Sequence, residues 1–359
     1  MAGSRPTEQL GVLSTKTSVT LKSFPVPSPG PNEVLVRNVA VASNPKDWKV
    51  PQWLDDYEFI EGNDIAGIVA DVGEGVTEYK IGDRVAAFTK MRSRDNKCGA
   101  YAQYSVAPAS TTFPIPQSVS YEAASTLPLA AMTAAIGLFL RLEVPEPPVS
   151  GPSPSLQEGI IINGASSSVG AYAVQLAKRA GLFVIGVAGS SKDYAAELGA
   201  DVVVDYREHK GDDLERALVA AAGKHPISYA YDAVTLDGST VLLSRVLSQT
   251  SPTGKGRVTF VLGVSDEEKS KLPAGITPVQ TLVGTAYSND EAFAARFYHQ
   301  ISQWLVSSSS NPTVFETNRV RVVPGGLSGV AKGLDQLKNN EVHAEKLVYR
   351  IAETPGIQA

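Results

Sequence analysis

From residue 160 onward the sequence repeats one unit: a short apolar run, a tight turn, a helical stretch, then another apolar run. Residues 160–162 read as a strand, 169–180 as a helix closed by Gly181, and 183–187 as a second strand. A helix at 193–198 stops at Gly199, and 201–205, 229–233 and 257–263 supply further strands. Parallel strands cannot be joined by a two-residue hairpin, so each pair needs a crossover, and the crossovers cover both faces of the sheet. The expected fold is α/β, with a doubly wound parallel sheet in this part of the chain.

At 359 residues there is room for about two domains. The first 140 residues follow a different pattern. Segments 33–41, 65–72, 84–88 and 99–106 are short apolar or alternating runs, separated by turns such as Gly73-Glu74-Gly75 and Gly82-Asp83. That spacing predicts a small β-rich domain. Residues 123–135 are small and apolar on every side, as in a buried helical segment. Residues 143–157 carry five prolines and predict a solvated connection. After a loop expected at the four serines 307–310, residues 319–350 return to strand, helix and strand.

Hydrophobic residues make up 43% of the chain and charged residues 19%, which excludes a disordered protein. A net charge of -5 offers no footprint of the kind nucleic acid requires. The single cysteine, Cys98, can form neither an intrachain disulfide nor a multi-cysteine zinc site, and is expected to be an inert loop thiol. Residues 1–13 lack the signal-peptide pattern and no apolar run approaches 18 residues, so the expectation is a soluble, cytoplasmic protein.

The turn after the first strand of the repeating part is the most informative. Asn163-Gly164-Ala165-Ser166-Ser167-Ser168-Val169-Gly170 puts small residues between a strand and a helix. A dinucleotide pyrophosphate needs such a turn, because backbone N–H groups at the helix start face the phosphates and a large side chain would block the approach. The usual three-glycine fingerprint falls on Ala165, Ser167 and Gly170, so two glycines are missing, and an ordinary tight turn would read the same on the motif alone. The strand before it and the helix after it favour the dinucleotide. The second strand runs into Ser190, Ser191 and Lys192 where an NAD site would place an acid. Hydroxyls and a lysine suit a 2′-phosphate, hence NADPH, although Lys192 could equally be a solvated surface lysine. Asp193 reads as the start of the next helix.

Five segments occur here in the order seen in a known family. Asn44-Pro45-Lys46-Asp47-Trp48-Lys49, Gly62-Asn63-Asp64-Ile65-Ala66-Gly67-Ile68-Val69, Ile81-Gly82-Asp83-Arg84-Val85, Gly99-Ala100-Tyr101-Ala102-Gln103-Tyr104 and the turn at 163–170 resemble the medium-chain dehydrogenase/reductases. The resemblance implies a GroES-like β-rich catalytic domain, at 1–155 and 301–359, enclosing a Rossmann domain at 156–300. Zinc-dependent members carry a cysteine, a Gly-His-Glu motif and a four-cysteine lobe; here Asn44-Pro45 stands near the first and Gly62-Asn63-Asp64 replaces the second. All four histidines lie beyond residue 200, so the resemblance implies no metal. Within the family the chain is most similar to the trans-acting enoyl reductases of fungal polyketide synthases, through Asn44, Pro45, Asp47, Lys49 and the proline-rich insertion at 143–157. The neighbouring quinone oxidoreductases usually have a glycine-richer turn.

The same resemblance implies a set of site residues. Lys46, Asp47, Trp48 and Lys49 are expected beside the nicotinamide, with Lys49 a candidate near the developing enolate and Lys46 a competitor. Thr133 and Ala134 match positions facing nicotinamide and substrate, although Thr133 could be a buried helical threonine bonded to backbone. Tyr206 matches a 2′-phosphate contact. Leu262 and Gly263 are expected at a strand end facing cofactor, as are Ala344 and Glu345 before the closing strand. Val283, Gly284, Thr285, Ala286 and Tyr287 are expected along an acyl pocket, where the two domains should meet. Tyr57 is the nearest tyrosine for a proton-donor role, but its spacing does not match. The implied partner is a thioester on an acyl-carrier domain. A quinone or alkenal reductase, and a non-catalytic NADPH-binding protein, stay open alongside the enoyl reductase.

Overall fold

The computed structural model describes residues 6–209, 212–236, 238–306 and 314–357, so the serine run at 307–310 lies outside the described residues. The chain divides into two compact units: residues 1–129, 284–307 and 313–359 form the first, 130–283 and 308–312 the second.

The first unit is β-rich. Its larger sheet runs Val320–Val322, Lys346–Arg350, Glu33–Ala42, Asp64–Val72, Arg84–Phe88, Thr112–Pro114, with Tyr104–Pro108 also pairing along Glu33–Ala42. All pairs are antiparallel except Val320–Val322 with Lys346–Arg350. A smaller sheet pairs Glu8–Thr15 with Val19–Pro25 and Glu58–Ile60. The core gathers Val34, Val36, Ile65, Val85, Tyr101 and Tyr349, so strands from both ends of the chain share one apolar interior. Residues 99–103, expected to start a strand, are irregular, yet 99–102 are buried, because Ala100, Tyr101 and Ala102 pack into that core.

The second unit holds a six-stranded, wholly parallel sheet. In space its strands run Val202–Asp205, Phe183–Ala188, Gly159–Asn163, Ile227–Asp232, Gly256–Phe260, Ile276–Gln280, which is third, second, first, fourth, fifth, sixth in chain order. That is the dinucleotide-binding order, with the reversal beside the first strand. Helix Ser168–Arg179 begins where Ser167 Oγ accepts the Gly170 N–H at 3.1 Å, so the turn serine is also its cap. One sheet face packs Ile161, Ile185, Leu218, Leu247 and Val258.

The expected domain limits, 155/156 and 300/301, differ from the observed division. Apolar residues 130–141 belong with the second unit, because Tyr231 donates to the Thr133 carbonyl at 2.7 Å and Arg257 to that of Arg141 at 3.0 Å. Helix Glu291–Trp304 belongs with the first: Tyr298 stacks on Phe113 at 4.9 Å and donates to the Pro128 carbonyl at 2.7 Å. The expectation that no apolar run approaches 18 residues also needs correction. Helix Tyr121–Arg141 is long and apolar enough to cross a membrane, but 89% of its apolar window is buried inside the protein. It is a core helix.

Candidate functional site

In the second unit the small-residue turn has the geometry of a cradle. Gly164 has φ +72°, a backbone conformation that favours glycine. At Gly170 a Cβ would stand 2.1 Å from the Gly164 carbonyl oxygen, so helix and strand approach at a distance no side chain allows. The Ala165 N–H donates to the Val187 carbonyl at 2.9 Å and locks the turn against the second strand. Ala165, Ser166, Ser167, Ser168 and Val169 thus line the N-terminus of a twelve-residue helix, where backbone dipoles favour an anion. The residues present fit a dinucleotide pyrophosphate.

The end of the second strand is more heavily charged than its sequence suggests. Lys192 opens the helix Lys192–Glu197, with Asp193 in its first turn and Ser190 and Ser191 before it. The Lys192 Nζ lies 3.3 Å from Glu208 and 3.7 Å from Asp205. Asp205 also accepts three bonds from Arg207, two from the guanidinium at 2.9 and 2.6 Å and one from the backbone N–H at 3.0 Å, and these hold its carboxyl well below the usual range. Arg207, a second cation at this edge, is invisible in the sequence because its partner at i−2 signals only a local turn. Tyr206 is 52% exposed, its ring lying against Gly189. Leu262 and Gly263 do not end a strand: it stops at Phe260, and the loop beyond is held by Thr235 Oγ1, which accepts the Val261 N–H at 3.1 Å. Thr133 and Ala134 lie on the buried helix Pro128–Ala135. Val283 closes the second unit, whereas Gly284, Thr285, Ala286 and Tyr287 open a segment of the first. All five form a 3-10 helix, with open space at Gly284 and the Tyr287 ring tilted 33° against that of Phe88 at 4.9 Å.

In the first unit the structure separates the two candidate lysines. Lys46 starts the helix Lys46–Trp53 and places its Nζ 2.6 Å from Glu61 and 3.1 Å from Asp47. Burial works to lower its pKa, but the two carboxylates outweigh it and raise it, so Lys46 is a committed cation. Asp47 in turn accepts from Tyr101 at 2.5 Å and from the Asn44 N–H at 2.8 Å, and Ser43 Oγ lies 2.8 Å from both Tyr101 and Tyr349 hydroxyls. Tyr57 donates to Glu61, and burial together with that carboxylate pushes its phenol upward. Lys49, one turn along, is half-buried beside the Trp48 ring, 5.4 Å away, with no carboxylate in ion-pair range among the described residues. Burial lowers its pKa. Of the pair, only Lys49 is left without a carboxylate partner among the described residues. Glu345 is bound to Arg321 at 2.6 Å, and Ala344 before it has φ +52°.

A second buried cluster stands where the family resemblance would put metal ligands. The Lys346 Nζ lies 2.5 Å from Asn44 Oδ1 and 3.0 Å from Asp64 Oδ2, and Asn44 Nδ2 donates to the same Asp64 oxygen at 2.8 Å. The other Asp64 oxygen accepts the Leu129 N–H at 2.7 Å. An amide, a carboxylate and a lysine that already supplies the cation do not fit a zinc ion. Among the described residues no group of three or more His, Cys, Asp or Glu could hold a metal. Sequence reasoning misses Lys346 and Asp64 as partners because 282 positions separate them (346 − 64).

Comparison with known proteins agrees with this architecture. Residues 30–117 match the alcohol dehydrogenase GroES-like domain and residues 168–302 the zinc-binding dehydrogenase domain. The trans-enoyl reductase fsr4 of Gibberella fujikuroi is 35% identical over 295 residues, covering 80% of this chain and 83% of its own. The trans-enoyl reductase caaB of Aspergillus niger is 30% identical over 350 residues, covering 91% and 92%. A mycobacterial protein solved in complex with NADPH superposes with a TM-score of 0.68 at 18% identity, covering 95% of this chain and 99% of its own. With both domain matches in place and sequence likeness over most of its length, the chain belongs to the medium-chain dehydrogenase/reductase family of oxidoreductases.

Proposed function

We propose that the protein is an NADPH-dependent enoyl reductase that acts in trans on α,β-unsaturated thioesters carried by a polyketide synthase. The observation that carries this reading is the likeness, over four-fifths of the chain, to a protein named a trans-enoyl reductase. The cradle at Gly164 and Gly170 supports the cofactor, and Lys192, Arg207 and Tyr206 at the second strand's edge support its 2′-phosphate. NADPH, when bound, supplies the hydride. The chain's own residues hold the cofactor and meet the negative charge that develops on the thioester oxygen. Lys49 is the candidate for the second task, because a partly desolvated ammonium with no carboxylate in ion-pair range has no internal counter-charge competing with a ligand. Lys346 supports a metal-free reaction, since it already neutralises Asp64. Activity is therefore expected to survive exhaustive chelation.

The test follows loss of NADPH absorbance with a crotonyl thioester and, separately, with a quinone. Turnover of the thioester, with NADPH preferred to NADH, is the expected result. Turnover of the quinone alone would overturn the enoyl reading, and NADPH binding without either would make the protein a binder. Lys192→Ala is expected to weaken NADPH about tenfold while leaving NADH nearly unchanged.

Lys49 has its own prediction. Lys49→Met lowers kcat by about ten- to a hundredfold with NADPH affinity kept, the range of one electrophilic group. Because burial lowers the Lys49 pKa, its charge is lost at lower pH than that of an ordinary lysine, so activity falls on the alkaline side. Lys49→Arg should move that alkaline limb upward. An unaltered pH profile would remove Lys49 from the reaction.

A further inference from the structure

A second polar feature of the first unit is not used by the reaction as described. The loop after strand Arg84–Phe88 carries Lys90, Arg92 and Arg94, three cations within five residues of an otherwise acidic chain. All three are exposed, and none is ion-paired among the described residues. Arg92 lies 5.9 Å over the ring of Trp53, itself 53% exposed, and Arg94 donates to the Asp55 carbonyl at 3.3 Å. Both arginines sit at positive φ, +51° and +50°. That conformation is costly for side chains of this size, and such strain gathers at ligand-binding sites.

The loop forms the rim of a polar cleft whose floor includes Tyr57, Glu61 and Asn63. The void beneath is small, about 10 Å³, so a ligand group would rest on the rim with the cations. The acids of this lining are already engaged. Glu61 is held by Lys46 and Tyr57, and Asp95 caps the short helix Asn96–Cys98 through the Lys97 N–H at 3.0 Å. Asn63 is 3% exposed; its Nδ2 donates to the Thr89 carbonyl and hydroxyl, both at 3.1 Å, while its Oδ1 is buried with no hydrogen-bond partner. A buried acceptor left unsatisfied is costly, and at this depth it lies beyond the reach of a group resting on the rim. The cleft therefore offers positive charge at its rim over a closed polar floor. Glu61 ties that floor to Lys46, one turn from Lys49.

We propose that the rim of this cleft binds the phosphate of the thioester's pantetheine arm through Lys90, Arg92 and Arg94. The proposal rests on the enoyl-thioester reading and adds to it the part of the substrate remote from the double bond. Arginine suits the task because its planar fork matches phosphate oxygens. Remote binding of this kind lets the enzyme position a reacting group it hardly touches.

The experiment compares three crotonyl thioesters: N-acetylcysteamine, which has no phosphate, 4′-phosphopantetheine, and coenzyme A. For the intact protein, raising the ionic strength should raise KM for the two phosphorylated substrates and leave the first nearly unchanged. In the triple variant Lys90→Ala, Arg92→Ala, Arg94→Ala, kcat/KM for phosphopantetheine should fall about tenfold or more relative to that for N-acetylcysteamine. The variant Lys90→Arg, Arg92→Lys, Arg94→Lys should restore much of the difference, which a merely structural role would not require. A loss confined to coenzyme A would mean that the loop reads the nucleotide phosphates instead, and would overturn the assignment to the arm. Equal losses on all three would overturn the phosphate site while leaving the enoyl reading intact. If the intact protein reduced none of the three, the enoyl reading itself would fall.

Discussion

Replacing Lys346 with methionine is expected to lower the unfolding free energy by about 3–5 kcal/mol, the loss typical when one partner of a buried ion pair is removed. Asp64 is fully buried and Lys346 only 3% exposed, so water cannot take over the role of the ammonium. Asn44 Nδ2 and the Leu129 N–H would remain as donors, but neither carries a compensating charge. The double variant Asp64→Asn, Lys346→Met removes both charges and should recover most of the loss, because an unpaired buried charge costs more than a neutral pair. Urea unfolding of the three proteins measures both numbers. A single-variant loss below about 1 kcal/mol would mean that the cluster is wet and that Lys346 does not stand in for a metal.

Gly170→Ala should weaken NADPH binding about a hundredfold. The new Cβ would stand 2.1 Å from the Gly164 carbonyl oxygen and 3.0 Å from the Ala165 Cα, and both are backbone atoms that cannot rotate away. Relief requires the helix start to move off the turn, at a cost of about 3 kcal/mol, the upper range for overpacking. That movement pulls apart the N–H groups that would face the pyrophosphate. Calorimetric titration with NADPH reads the loss, and circular dichroism with thermal unfolding checks that the protein is still folded. Undiminished binding in a folded variant would remove the turn as the phosphate cradle.

These two sites differ in how far the sequence reveals them. The turn at 163–170 is legible because its geometry depends on neighbours in sequence: a buried strand, small residues and a capped helix start, all within one short stretch. The same holds for the central strands Gly159–Asn163 and Phe183–Ala188, whose apolar runs are almost wholly buried and bounded by turns. The position of helix Glu291–Trp304 is not legible, since it is set by Phe113 and Pro128 far away in the chain. Residues 99–103 alternate like a strand, yet Tyr101 spends its alternation on the core and on Asp47.

What the sequence determined by itself is the parallel sheet, the small-residue turn that caps its first helix and the set of candidate lysines, because local patterning governs strands, caps and turns. The tertiary structure alone decided which lysine is free. Lys46 and Lys49 lie three positions apart and look alike in sequence, but only Lys46 meets Glu61, which arrives from another strand end. The tertiary structure also brought Lys346 to Asp64 and left Lys90, Arg92 and Arg94 without carboxylates among the described residues. Charge pairing is a short-range interaction between groups that the chain brings together only on folding. Its outcome is therefore written in three-dimensional proximity and not in spacing along the chain.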